Sequence, residues 1–211
     1  MQTTNEERFM RAPSRFRRRI AIVALLGCIP IALASAGGGP ASVPTATVRV
    51  VDGKKEGVEV EKRGDGTVRE YYTWVAGKRQ GSYRSYWDNG WANWDGQYDD
   101  DVKSGAWTEH NSDGELMWET PYVKGKRHGV EKHYYNDSDP RNNPERLSAE
   151  VNYVEGLKHG LTTEYWSNGQ KSAQGSYEND LRQGQWNFWV SSGKSSGSKV
   201  YDKGKVVSET K

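Results

Sequence analysis

Few residues in this 211-residue chain have the types and spacing that chemistry requires. Its four histidines are His110, His128, His133 and His159, and His128 and His159 take the same place in the related segments GKRHG and GLKHG. A metal centre or an acid–base pair needs Cys or carboxylate partners at a fixed offset, and none accompanies these histidines, so they read as exposed turn residues. Lys103-Ser104-Gly105 has the letters of a penicillin-binding motif without the Ser-x-x-Lys that would complete it. The Gly-Lys turns suggest a phosphate cradle. A phosphate loop, however, needs Gly-x-x-x-x-Gly-Lys-Ser/Thr between a strand and a helix, and Lys78 and Lys126 are each followed by Arg. The expectation is a protein without catalytic, metal or cofactor-binding residues, and not an enzyme.

The elements that hold these residues follow from self-comparison. Gly57, Gly81, Gly105, Gly129, Gly160 and Gly184 are spaced by 24, 24, 24, 31 and 24 residues, and each closes a five-residue turn signature such as GKRQG or DVKSG. Nine residues beyond each closing Gly a second turn signal recurs, at Asp65-Gly66, Asn89-Gly90, Asp113-Gly114, Asn168-Gly169 and Ser192-Gly193, with the fourth unit the exception. Such dipeptides accept positive φ and are expected to make the tight hairpin turns. The segments between are rich in Tyr, Trp, Val and Thr, with the length of strands. Trp74, Tyr98, Tyr122, Tyr153, Tyr177 and Tyr201 recur at one position, and Tyr86, Tyr134, Tyr165 and Trp189 at another. Alternate strand residues face opposite sides, so each set draws a row along one face. The fold expected is all-β: an elongated, single-layer antiparallel β-meander of 24-residue hairpin repeats.

The pattern Tyr-x-x-Gly-Lys-x-x-Gly, aromatic strand, Asn/Asp-Gly resembles the MORN repeat, in its bacterial variant, over about residues 48 to 205. Asp101 and Asp180 depart from it where the first Gly is expected, as does Lys62 at the aromatic position. The resemblance implies an extended meander. It also implies an interaction role: eukaryotic relatives are associated with acidic phospholipids, and some bacterial ones with toxin immunity.

Lys54, Lys55, Lys78, Arg79, Lys103, Lys126, Arg127, Lys158 and Arg182 place at least one cation on every connecting turn. A cationic edge of this kind suits acidic lipid or peptidoglycan. The same residues also serve as solvated turn lysines that discourage edge association. The 31-residue spacing puts an insertion at 136–145, where Asp137, Asp139 and Arg141 offer a specificity loop.

The first 36 residues read as a signal peptide: Arg15, Arg17, Arg18 and Arg19, then the apolar run 20–33, then Ala34-Ser35-Ala36. A lipobox reading of Leu25-Leu26-Gly27-Cys28, which would anchor the protein through its one cysteine, is the alternative. Residues 37–47 read as a flexible linker, 48–205 as the array and 206–211 as a C-terminal tail. Removing residues 1–36 takes six Arg and two Glu from the totals of 30 and 28, leaving 24 basic and 26 acidic residues, a net −2. That balance disfavours nucleic acid. The function expected is a non-enzymatic module in the periplasm or at the cell surface that holds a protein partner as a scaffold or immunity component. Contact with acidic lipid or peptidoglycan through the turn edge is the alternative.

Overall fold

The computed structural model describes residues 42–136 and 146–211. The expected signal peptide with Cys28, the first part of the linker, and the loop residues Asp137, Asp139 and Arg141 lie outside the described residues.

The described residues form fifteen strands: β1 (Arg49–Val51), β2 (Lys54–Lys62), β3 (Val68–Val75), β4 (Lys78–Tyr86) and β5 (Ala92–Asp99) open the sheet. Then come β6 (Val102–His110), β7 (Leu116–Val123), β8 (Lys126–Arg127), β9 (Gly129–Tyr134) and β10 (Leu147–Val154). The series ends with β11 (Leu157–Tyr165), β12 (Lys171–Glu178), β13 (Leu181–Trp189), β14 (Ser195–Asp202) and β15 (Lys205–Thr210). Each strand pairs antiparallel with its sequence neighbours in one open meander, and the short β8 pairs with β7 just before β9 takes over. β15 runs through residues expected as a tail, because Val206 to Thr210 pair with β14.

The two kinds of turn exchange the roles expected of them. The tightest hairpins are the connecting turns: both central residues lie at positive φ in Ala76-Gly77 (+52°, +82°), Asp100-Asp101 (+54°, +71°) and Asn179-Asp180 (+50°, +67°), among others. That is the type I′ geometry, whose twist matches the flanking strands. Asp replaces Gly there because a short polar side chain tolerates the left-handed region. At the Asn/Asp-Gly tips only the Gly takes positive φ. Gly90 N–H donates to Trp87 O at 3.0 Å and Trp87 N–H to Trp91 O at 2.8 Å, a type I turn followed by a left-handed Gly. Asn89 stays right-handed because its Oδ1 accepts from Trp91 N–H at 3.2 Å.

A single sheet builds a core through its bulges. Trp74 faces Arg79 and Tyr72 faces Tyr83, so between these pairs Thr73 of β3 opposes Gln80, Gly81 and Ser82 of β4, with Gly81 at φ +87°. The same surplus recurs around Gly105, Gly160 and Gly184. A bulge bends its strand and increases its twist. In the units closed by Gly105, Gly129, Gly160 and Gly184 the residue two beyond the closing Gly lies over the inner face and is deeply buried: Trp107 (1% exposed), Glu131 (1%), Thr162 (2%) and Trp186 (0%), whereas Glu59 and Tyr83 are partly buried. The aromatic row therefore does not stack on itself. Trp107 sits between Tyr98 (5.1 Å) and Tyr122 (6.2 Å), and Trp186 between Tyr177 (5.2 Å) and Tyr201 (6.2 Å).

Candidate functional site

The connecting turns lie along one edge and are bonded to each other. Gly77 N–H donates to Lys55 O, Asp101 to Arg79 O, Gly125 to Lys103 O, Gly156 to Arg127 O, Asp180 to Lys158 O and Gly204 to Arg182 O, all at 2.9 to 3.0 Å. The cations on this edge fall into two columns that sequence alone treated as one.

In the inner column every cation lies over a ring of the aromatic row. Lys55 is 4.8 Å from Trp74, Arg79 4.2 Å from Tyr98, Lys103 5.1 Å from Tyr122, Arg127 4.0 Å from Tyr153, Lys158 5.2 Å from Tyr177 and Arg182 5.4 Å from Tyr201. Arg127 and Arg182 also donate to the Tyr153 and Tyr201 hydroxyls, at 2.9 and 3.2 Å. Burial pushes the Tyr153 hydroxyl up to about 12, so it stays protonated. Burial also lowers the Lys103 ammonium, which the Glu109 carboxylate opposes. Each such contact adds about 0.5 to 1 kcal/mol at partly exposed sites.

The cations of the outer column are exposed to solvent. Lys78 pairs with Asp100 at 2.7 Å and Lys126 with Glu155 at 3.1 Å, each reaching to the next turn. At the corresponding place in other units stand Val102, Leu157 and Leu181. With Val123, Val130, Val154 and Leu161 they leave large apolar side chains 42 to 51% exposed on the outer face beside the turn edge. Val154 pairs directly with Leu157, and Val130 with Asn152, whose amide donates to Leu161 O at 2.6 Å. This stripe was not read from the sequence. Its signal was the replacement of the turn lysine by Val or Leu in the later units.

The inner face carries a second feature that sequence missed, a polar break in the aromatic core. Glu131 holds the place that Trp107 holds one unit before and Trp186 two units after, with Thr162 at that place in the unit between. Its Oε2 accepts from Thr120 Oγ1 at 3.0 Å and lies 3.6 Å from Arg127 Nη1, while Oε1 meets His133 Nε2 at 2.8 Å. Burial works to raise this carboxyl, but hydrogen bonds from His133 and Thr120 and the charges of His133 and Arg127 outweigh it and hold it below the ordinary range. His133 in turn lies against Trp118, ring centres 4.1 Å apart.

The other histidines stay apart from this cluster. His128 and His159 are exposed, and His128 Nδ1 lies 3.9 Å from Glu155. His110 is half-buried on β6, where burial lowers its imidazole. Among the described residues no three His, Cys, Asp or Glu side chains are grouped to hold a metal ion. The second aromatic set lies on the outer face, with Tyr134 donating to Glu119 and Tyr165 to Glu150, at 2.9 and 2.8 Å.

No protein-family model matches the chain, and no curated protein matches it at a significant level.

Proposed function

We propose that the chain is an exported, non-enzymatic MORN-like repeat module that holds a protein partner on the outer face of its turn edge. The observation carrying this reading is the apolar stripe of Val102, Val123, Val130, Val154, Leu157, Leu161 and Leu181, each at least 42% exposed. Contiguous exposed apolar surface rimmed by polar groups is the mark of an association surface. The rim is supplied by the Lys78–Asp100 and Lys126–Glu155 pairs. Headgroup binding has fewer cations to work with, because Arg79, Lys103, Arg127 and Arg182 lie over rings.

The test is capture from cross-linked envelope extract with the wild-type protein and with Leu157→Lys/Leu161→Lys, both checked for fold by circular dichroism. A protein recovered by the wild type and lost by the variant is expected. If the wild type recovers nothing, or the variant recovers the same protein, the stripe is not the partner surface. Binding to anionic vesicles that disappears when Lys78 and Lys126 are neutralised supports the lipid reading instead.

A further inference from the structure

Across the inner face, toward the Asn/Asp-Gly tips, four directly opposed residues lie in one line. Trp94 on β5 faces Glu109 on β6, Glu109 faces Trp118 on β7, and Trp118 faces His133 on β9. Neighbouring strands are ~4.8 Å apart, so the tryptophans stand ~10 Å apart with a carboxylate between them and an imidazole beyond. We propose that this row binds a β-1,4-linked glycan strand, one disaccharide to each tryptophan step.

The chemistry of such a strand matches the row. Its pyranose rings present flat C–H faces and rims of hydroxyls, and equivalent faces return at every second sugar, a step comparable to two strand spacings. Indole faces take the C–H surface, and a few placed polar groups accept from the hydroxyls, the composition that ligand sites use. Trp118 is 37% exposed, large for a tryptophan on a sheet with a formed core.

The row is also held in place before any ligand arrives. His133 lies 4.1 Å from the Trp118 ring and is anchored through Nε2 to Glu131, itself 1% exposed and fixed by Thr120. Glu131 holds the imidazole through Nε2, which leaves Nδ1 to meet a sugar hydroxyl, a group that both donates and accepts. Lys103 Nζ, 4.7 Å from the Trp94 ring centre and 3.9 Å from that of Trp107, ties the first platform to the core. A buried carboxylate in place of the core aromatic has here a use that packing alone does not provide. Preorganisation of this kind lowers the ordering cost of binding.

The experiment uses the full mature chain in three arms: co-sedimentation with purified peptidoglycan sacculi, and tryptophan-fluorescence titrations with chitohexaose and with cellohexaose. Saturable binding in at least one arm, undiminished by salt, is expected, because the contacts are stacking and hydrogen bonds to uncharged sugar hydroxyls. Whichever arm binds names the source of the strand and supports the site. Trp118→Ala should weaken binding by about tenfold or more, as for an anchoring aromatic. Glu109→Gln, which conserves shape, should weaken it by a smaller factor, while Leu161→Lys on the opposite face leaves it unchanged. No binding in any arm, or wild-type binding by a folded Trp118→Ala together with Glu109→Gln, overturns the proposal. Binding that salt abolishes and both variants keep overturns it as well, and moves the contact to the charged edge.

Discussion

Trp186→Ala separates a core made by interleaved rings from one made by a row stacked on itself. Trp186 is fully buried, with Tyr177, Phe188 and Tyr201 around it at 5.2, 6.5 and 6.2 Å. Its Nε1–H donates to Ser176 O at 3.1 Å, and Arg182 lies 4.2 Å from its ring. Truncating a buried Trp costs about 3 to 5 kcal/mol. The orphaned Ser176 carbonyl and the lost cation contact each add about 1 kcal/mol, so the total is about 5 to 7 kcal/mol. Tyr122 touches Trp107 at 6.2 Å on one side, but the neighbouring core place is held by Glu131, so its truncation should cost about 2 to 3 kcal/mol. Terminal Tyr201, only 8% exposed, should cost at least as much as central Tyr122. Distance from the end of the array is thus not what ranks these positions. Urea unfolding followed by circular dichroism gives the three values, and hydrogen exchange should show β12 to β14 losing protection first in Trp186→Ala. Equal costs for Trp186→Ala and Tyr122→Ala, or a loss below about 1 kcal/mol for the tryptophan, would refute the interleaved core.

Two further outcomes follow from the same geometry. Gly175→Ala places a Cβ about 2.3 Å from the Trp186 ring, with the ring held by its hydrogen bond, so the variant should lose about 2 to 3 kcal/mol in urea denaturation; unchanged stability means the ring does not lie on Gly175. Glu131 has a folded-state pKa below its unfolded value, so its contribution is present above the ordinary Glu range and is lost as pH falls through the lowered value. Wild type should therefore lose stability in acid more steeply than Glu131→Gln, and parallel pH–stability curves for the two would contradict that reading.

Much of the fold was legible because it is written in local chemistry. The 24-residue period and the Gly, Asn and Asp at the turns each demand a backbone conformation that a few neighbouring residues decide, so an antiparallel meander of hairpins followed from them. Even there, which turn was the tight one was not readable, since Asn-Gly suits both a type I′ turn and a type I turn with a left-handed Gly, and strand pairing chooses between them.

The site was less legible, because it depends on register. At Gly81, Gly105, Gly160 and Gly184 the bulge gives one strand two more residues than its partner, so counting along the sequence does not tell which side chains meet across strands. Lys78 and Arg79, adjacent in sequence, face opposite sides of their strand, but strand pairing decides what each meets: the first pairs with Asp100, the second lies over Tyr98. The composition and spacing of this chain were sufficient for its strands, the places of its turns and its aromatic rows. Only the tertiary structure decided that Trp107 and Trp186 lie between the rings of the row, that Glu131 takes their place in the middle, and that Trp94, Glu109, Trp118 and His133 share one line. The reason is that those neighbours come from different strands, brought together by pairing across bulges that the linear pattern does not encode.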